Sequence, residues 1–355
     1  MTFKYSQTFF YFSTPPQHMP MRVGINGFGR IGRQVFKIGL RNPNLDFVAL
    51  NDITEPRVLA HLLKYDSVFG RFKAEISHKE SAIIVNGKEM RVFSQRDPSL
   101  IPWDELGVDL VIEASGVFTG RSDAAKHLRG SVKKVVITAP SKGESADYTV
   151  VMGVNEGGID VEKHHVISNS SCTTNAFAIM VKVLHERFKI RRGVMTTIHA
   201  YTNDQRILDA PHSDLRRARA AAISMIPTST GAAKTIELIF PELKGRLSAI
   251  AMRVPTYDVS IVDFAAELES KVSVEEVNKA FEEEAKRMPK YLGIAEDPIV
   301  SVDLIGDEHS VVFDPSLTQV VEGNMVKVFG WYDNEWGYSA RVVDLVDYLR
   351  EKMSI

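Results

Sequence analysis

From residue 21 onward the chain alternates between two hydrophobic patterns. Short, nearly continuous apolar runs at 21–26, 47–52, 109–115 and 134–139 have the length and β-branched content of strands buried on both faces, as in a parallel sheet. Between them, at 33–40, 57–65 and 123–129, apolar residues recur three and four positions apart and predict helices lying on that sheet. Residues 81–85 and 89–93, joined by Asn86-Gly87-Lys88, predict a hairpin. The runs 150–154 and 165–168 predict two more strands. This half reads as α/β.

The pattern changes after residue 171. A helical period over 176–187 is followed by strand signals at 193–199, 250–254, 259–264, 310–313 and 325–329. Several of these alternate apolar and polar, which suits an antiparallel sheet with one solvated face. The amphipathic helix predicted over 274–286 carries its acidic residues on a solvated side. A last helical period covers 339–350.

Composition narrows the classes of function. Lys plus Arg number 43 against 45 Asp plus Glu in 355 residues, so no strong net field points to nucleic acid or an anionic membrane. One cysteine rules out an intrachain disulfide framework and suits a reducing compartment. No run of eighteen apolar residues occurs, so no transmembrane helix is predicted, and a cytoplasmic location is expected. The first twenty residues hold a short aromatic stretch without a small-x-small cleavage site, a poor fit to a signal peptide. They read as a tail over 1–20, with Met19 or Met21 as a possible working start.

Two segments carry chemistry. The first is Gly27-Phe28-Gly29-Arg30-Ile31-Gly32 between strand and helix, with Asp52 twenty residues later at the end of the second strand. Glycines there allow a tight turn and close approach of a pyrophosphate to a helix N-terminus, and Asp52 can accept from a ribose hydroxyl. Its negative charge opposes a 2′-phosphate and favours NAD over NADP. Glycine patterns also occur in plain turns, but here strand, helix, second strand and acid all agree.

The second segment, 168–175, surrounds the sole cysteine, Cys172, with small polar residues at the start of a helix. A thiol so placed sits beside unpaired N–H groups at the positive end of the helix dipole, which favours thiolate. The alternative is a buried small hydrophobe. His199, at the end of the 193–199 strand, can be returned to the thiol by a helix, a turn and a strand, and can exchange its proton. No histidine or cysteine cluster has metal-ligand spacing, so no metal is expected.

Other residues leave alternatives open. Arg216, Arg217 and Arg219 read as surface charges, an anion site or a subunit contact. Hydroxyls and a glycine at 228–231, just before another helix, form a phosphate perch, and Arg253 is available at a sheet face. Arg96 lies in a loop, where a solvated charge is the simplest role. The aromatic run 331–338 suits a ligand wall, a core or an interface equally.

Taken together, these motifs resemble phosphorylating glyceraldehyde-3-phosphate dehydrogenase, over nearly everything from Met21 to the C-terminus. The matching stretches are 26–33, 51–52, 115–119, 168–175, His199, 202–204, 215–219, 228–234, 253–256 and 331–338. The resemblance implies a Rossmann-type dinucleotide-binding domain over 21–171 and a mainly antiparallel α+β catalytic domain over 172–335. It also implies a C-terminal helix, 336–355, packed back on the first domain.

The chemistry it implies is attack of Cys172 on the aldehyde of glyceraldehyde 3-phosphate, proton removal by His199, reduction of NAD and attack of inorganic phosphate on a thioester to release 1,3-bisphosphoglycerate. The substrate phosphate is implied to meet Thr202, Arg253 and one of Arg216 and Arg217, of which we select Arg217. The attacking phosphate is implied to meet Ser171, Thr173, Thr230 and Gly231. For the cofactor the resemblance implies Gly27, Gly29 and Gly32, the backbone of Arg30 and Ile31 at the pyrophosphate, Asp52 at the ribose, and Arg96 and Thr138 at the outer part. Asn334 is implied by the same resemblance to orient the nicotinamide amide, with Tyr338 nearby. A glycolytic homotetramer follows by the same resemblance, with no required nucleic acid or membrane.

The chain departs from the family pattern in places. Ser170 stands where alanine is common, and Ala176 stands where a second cysteine is common, which removes one thiol partner for a disulfide. Ala210-Pro211 keeps the proline where NADP-using relatives often carry Ala-Ser. Tyr257-Asp258 replaces the common Pro-Asn after Val254-Pro255-Thr256, a change the sequence does not explain. Erythrose-4-phosphate dehydrogenase is the nearest alternative activity, sharing the cysteine and histidine but fitting 202–204 and 228–234 less well. A semialdehyde dehydrogenase matches poorly. A nonenzymatic nucleotide-binding protein would not require Cys172, His199 and both anion sites together.

Overall fold

The computed structural model describes residues 19–353. The tail predicted over 1–20 therefore lies, apart from Met19 and Pro20, outside the described residues.

In chain order the first half forms β1 (Met21–Asn26), β2 (Leu45–Asn51), the short pair β3 (Tyr65–Asp66) and β4 (Gly70–Arg71), then β5 (Ile76–Lys79), β6 (Ala82–Val85) and β7 (Lys88–Phe93). After these come β8 (Leu110–Glu113), β9 (Lys134–Ile137), β10 (Tyr148–Thr149) and β11 (Val166–Ser168). All but β3 and β4 join one sheet in the order β10-β11-β9-β8-β1-β2-β7-β6-β5. The pairs from β10 to β7 are parallel, while β5, β6 and β7 are antiparallel. β1 has β2 on one side and β8 on the other, so successive connections leave it in opposite directions. That is the point where open α/β sheets leave a crevice beyond the strand ends.

The helices are α1 (Arg30–Gly39), α2 (Pro56–Lys64), α3 (Arg121–Ala124), α4 (Cys172–Phe188), α5 (Ala232–Ile239), α6 (Val274–Arg287) and α7 (Trp336–Met353). α1 starts three residues before the predicted 33, because Gly32 belongs inside its first turn. A Cβ on Gly32 would sit 2.2 Å from the Gly27 carbonyl oxygen, so only glycine fits there. The predicted strand 150–154 is instead a turn, pinned where Asn155 Oδ1 accepts from Val151 N–H at 2.8 Å.

The second half forms β12 (Ile190–Ala200), β13 (Ile226–Ser229), β14 (Leu247–Val254), β15 (Ser260–Leu268), β16 (Leu292–Ile294), β17 (Val311–Phe313), β18 (Gln319–Val321) and β19 (Met325–Tyr332). Their order is β13-β14-β12-β15-β19-β17-β16, with β18 on β19. Most pairs are antiparallel, but β16 and β17 run parallel, as do β12 and β14, and this last pairing sets His199 beside Arg253 in register.

α4 is buried along most of its length, from Thr173 to Val181, and packs in one core with Phe264, Phe281 and Val328. A helix enclosed this way is held by packing rather than by amphipathic contrast. α7 lies elsewhere: its Tyr338, Val342, Leu345 and Leu349 share a core with Val35 and Phe36 of α1 and with β1. α6 begins with a capping box between Ser273 and Glu276. No helix among the described residues is long and apolar enough to cross a membrane.

Candidate active site

The first wall of the site is backbone. Gly27 turns with φ +89°, and a Cβ on it would lie 2.6 Å from the Ser115 backbone. Gly29 is the N-cap of α1, carries no capping side chain, and has no heavy atom within 4 Å of where its Cβ would project. The first-turn N–H groups of Arg30 and Ile31 lie at the positive end of α1 with no side chain capping the helix start. The Arg30 side chain is committed elsewhere, its Nε donating to both Glu335 carboxylate oxygens at 2.5 and 2.7 Å and its Nη2 to Asp66 at 3.2 Å.

Asp52 closes the same end, with its carboxylate accepting from Phe28 N–H at 2.8 Å and Thr54 N–H at 2.9 Å. The loop carrying Arg96 is stitched to this strand end, since Asn51 and Gln95 exchange two hydrogen bonds, and Arg96 itself is exposed. Thr138, at the end of β9, donates its backbone and hydroxyl protons to the Glu113 carbonyl at 3.0 and 3.2 Å. The Ser115 corner is held from below: Glu113 accepts from Ser115 N–H at 2.9 Å and from Asn26 at 2.5 Å. His127, whose Nδ1 accepts from Trp103 at 3.0 Å, donates through Nε2 to Glu113, also at 3.0 Å. Open glycine backbone, a bare helix start and an oriented carboxylate fit a dinucleotide.

The second wall holds the thiol. Ser171 is the N-cap of α4, its Oγ accepting from Thr174 N–H at 3.1 Å, and Cys172 is the first helical residue. Cys172 Sγ lies 3.5 Å from His199 Nε2. On the far side of the ring, His199 Nδ1 is 2.6 Å from the Ala200 carbonyl and 2.7 Å from Arg253 Nη1, which itself donates to Ala200 O at 3.0 Å. With Nδ1–H given to the carbonyl, the Nε2 lone pair faces the sulfur. Burial, then the Arg253 charge, pull His199 down to about 3, so the imidazole is neutral at ordinary pH. Burial pushes the thiol up, opposed by Arg253 and by the Thr173 backbone N–H and hydroxyl.

Cations converge beside this pair. Arg253 Nε is buried with no partner among the described residues, which leaves donor capacity for an anion. Arg217 turns inward, donating to Thr228 Oγ1 at 2.9 Å and Ser229 O at 3.3 Å and pairing with Asp204, while Arg216 is exposed. The Arg217 charge reaches both His199 and Arg253. Thr202 is half-buried two residues before Asp204. Thr230 and Gly231 sit at the start of α5, where Thr230 Oγ1 accepts from Ala232 N–H at 3.3 Å and Gly231 is open.

Asn334 joins from the end of β19: its Oδ1 accepts from Ser260 Oγ at 2.7 Å, and Ser260 Oγ accepts from Ala200 N–H at 3.1 Å. Tyr338 donates to Ser170 O at 3.0 Å. Among the described residues no group of His, Cys, Asp and Glu is disposed to hold a metal.

Two hydroxyls selected in the sequence are engaged away from open space. Ser171 Oγ caps α4 and lies 2.8 Å from Thr174 Oγ1, and Thr173 Oγ1 lies 2.8 Å from Tyr332 OH. Tyr332 belongs to the aromatic run 331–338, whose role the sequence leaves open. Its buried hydroxyl bridges Thr173 and Thr197 at 2.8 Å each, and its ring stands edge-on to His199 with centroids 6.0 Å apart. The signal was the alternation of β19, which points Tyr332 to the same inner face as Val328 and Val326.

Comparison with known proteins agrees with this geometry. The profile of the glyceraldehyde 3-phosphate dehydrogenase NAD binding domain matches residues 21–121, and that of the glyceraldehyde 3-phosphate dehydrogenase C-terminal domain matches 171–334. The glyceraldehyde-3-phosphate dehydrogenase of Geobacillus stearothermophilus is 58% identical over 335 residues, covering 94% of this chain and 99% of its own. Glyceraldehyde-3-phosphate dehydrogenase 1 of Bacillus cereus is 57% identical, covering 93% and 99%. Glyceraldehyde-3-phosphate dehydrogenase 2 of Streptomyces avermitilis is 54% identical, covering 94% and 100%. With both halves matched end to end around one thiol–imidazole pair, the chain belongs to the glyceraldehyde-3-phosphate dehydrogenase family.

Proposed function

We propose that Cys172 and His199 carry the NAD-dependent oxidation and phosphorylation of glyceraldehyde 3-phosphate to 1,3-bisphosphoglycerate in glycolysis. The observation that carries this is the 3.5 Å approach of Sγ to a neutral imidazole nitrogen, with Arg253 on the other side of the ring. Attack of the sulfur on the aldehyde gives a hemithioacetal. His199 Nε2 takes the hydroxyl proton as that carbon is oxidised, leaving a thioester on Cys172. Inorganic phosphate then displaces the sulfur. NAD, when bound, supplies the hydride acceptor; Gly27, Gly29, Gly32, the Arg30 and Ile31 backbone, Asp52, Arg96, Thr138 and Asn334 would hold it.

In this proposal Thr202, Arg217 and Arg253 take the substrate phosphate, and Ser171, Thr173, Thr230 and Gly231 take the attacking one. An anion on Arg253 has a second effect. It offsets the positive charge that holds His199 down, so substrate binding makes the ring a better base at the moment it is needed.

We further propose the division into a cofactor domain (21–171), a catalytic domain (172–335) and a C-terminal helix (336–355) lying with the first. Assembly as a homotetramer is supported by exposed apolar residues, among them Ile207, Leu208, Leu215 and Met225 on the long loop and Val194 on the open sheet face. Mass in solution reads that directly. A single thiol supports a reducing, cytoplasmic setting.

Steady-state NADH formation with and without inorganic phosphate, for the parent and Cys172→Ala, tests the chemistry. Turnover should require phosphate, and the variant should lose oxidation on the order of 10⁴-fold while binding NAD within about twofold of the parent. An undiminished steady rate without phosphate would favour an erythrose-4-phosphate type of reaction instead.

A further inference from the structure

Tyr257-Asp258 is a departure from the family pattern, and Asp258 is buried, only 1% exposed. Neither of its carboxylate oxygens has a hydrogen-bond partner among the described residues. An ionised carboxylate in such a place is strongly disfavoured, and a protonated one is the usual escape. The next residue, Val259, is also buried and has φ +63°, a left-handed conformation that a β-branched residue adopts only when its surroundings impose it.

The antiparallel β15–β19 ladder ends at Ser260 and Tyr332, and just past that end Asp258 lies within reach of the charges of Asp333 and Glu335. Asp333 is well supplied with donors: it accepts from Gly306 N–H at 2.8 Å, Glu335 N–H at 2.9 Å and Trp336 N–H at 2.7 Å. Burial raises Asp333 too, to about 6, against these three backbone donors, so of the two carboxyls Asp333 is the first to ionise. The charged groups facing Asp258 are Asp333 and Glu335, which oppose a further negative charge, and Arg30, which is already bound to Glu335 and Asp66. Burial, then Asp333, then Glu335 push Asp258 up to about 8, opposed only by the adjacent Val259 N–H, which falls short of hydrogen-bond geometry, and by Arg30.

We propose that Asp258 is carried as an un-ionised carboxylic acid beside ionised Asp333, and that this proton keeps the 333–335 turn in place, making Asp258 a positioning residue for Asn334 at the nicotinamide end of the cofactor site. The inference rests on the proposed contact of Asn334 with the nicotinamide amide. Loss of the proton sets two neighbouring carboxylates in repulsion where one has no well-placed donor. The strain falls on the Ser260–Asn334 hydrogen bond and, through Ser260, on the backbone next to His199.

The test uses Asp258→Asn, which keeps the shape and cannot ionise, in the full chain. Parent and variant both carry Cys172→Ala so that thiol ionisation does not move the curves. NADH, whose nicotinamide is uncharged, is titrated by fluorescence from pH 6.5 to 9.5. Parent affinity should hold to about pH 7.5 and fall roughly tenfold by pH 9, while Asp258→Asn stays flat. Denaturant unfolding supplies an independent arm. The folded acid keeps its proton where the unfolded one loses it, so the parent loses stability as pH rises from about 4 to 8. The variant should gain midpoint over the parent across that window and hold a constant gain above it.

Parallel affinity curves for the two proteins would overturn the link to Asn334. A midpoint difference that does not change with pH would overturn the protonated acid itself. Asn334→Ala separates the supporting assignment: NADH affinity as tight as the parent's would remove the amide contact and the positioning role with it, while the stability arm would still decide the proton.

Discussion

Two helices begin at this site, and they begin differently. α1 follows Gly29 and has no side chain over its first turn, whereas α4 follows Ser171, whose hydroxyl already accepts from Thr174 N–H. The bare start leaves its N–H groups to an arriving anion, as a pyrophosphate site requires. The capped start has satisfied one N–H internally and presents a thiol as its first helical residue, where the remaining dipole acts on sulfur. In the proposed roles one backbone effect would serve binding at one end and, against the burial that pushes the thiol up, nucleophilicity at the other.

The comparison is broken most severely by removing the base. If the α4 start and Arg253 sufficed to activate the thiol, His199→Asn would alkylate with iodoacetamide along the parent's pH profile. We expect instead a profile displaced to higher pH, kcat/KM lower by about 10²–10⁴-fold, and NAD binding little changed. The substitution also has a signature in stability. The folded imidazole, pulled down to about 3, stays neutral where the unfolded one protonates near its ordinary value of 6.5. The unfolded chain therefore binds more protons between those values. This contribution is complete above pH 6.5 and is lost as pH falls toward 3, with a slope of at most about 1.4 kcal/mol per pH unit. Urea midpoints from pH 3.5 to 7 should show a smaller acid loss in His199→Asn than in the parent.

A smaller effect separates two glycines of the bare start. Gly32→Ala places a methyl 2.2 Å from the Gly27 carbonyl, so the turn must shift, at about 1–3 kcal/mol, and NAD affinity should fall with stability. Gly29→Ala meets no atom within 4 Å and should cost under about 1 kcal/mol, yet it puts a methyl where the pyrophosphate would run. Calorimetric unfolding and NAD titration of both variants should show Gly32→Ala losing both properties and Gly29→Ala losing mainly affinity. The reverse order in stability would mean that the turn, not the helix contact, limits this loop.

How much of the site is legible in sequence follows from the same contrast. The cofactor wall is local: strand, glycines, helix and Asp52 fall within about thirty residues, and the chemistry lies in the main chain. Even so, the start of α1 reads three residues late, because a glycine inside a helix looks like loop until its closeness to the Gly27 carbonyl is seen. The catalytic wall is not local. Cys172 and His199 are each legible, but the place of Arg253 depends on the parallel pairing of β12 with β14, where alternation suggested an antiparallel sheet. What distinguishes Arg217 from Arg216, its contacts with Thr228 and Asp204, arises only in the folded loop. Tyr332 and Asp258 owe their importance to burial, which composition does not report.

The smallest expected effect bears on Ser171, where two roles compete for one hydroxyl. As an N-cap it accepts from Thr174 N–H; as a phosphate ligand it would donate its own proton, which in the free enzyme can be shared with Thr174 Oγ1, 2.8 Å away. Accepting and donating use different parts of the same group, so the two roles are compatible in principle and separable by measurement. Ser171→Ala removes both, and loss of the cap should lower stability by about 0.5–2 kcal/mol. Ser171→Gly removes both hydrogen bonds too, but as an N-cap it costs only a few tenths of a kcal/mol. A KM for inorganic phosphate that rises equally in both variants, despite their different stabilities, would tie the hydroxyl to the attacking anion. A KM unchanged in both, with stability lost mainly in the alanine variant, would leave Ser171 as the cap that holds Cys172 at the first turn, and would shift the attacking phosphate onto Thr230, Gly231 and the backbone of α4.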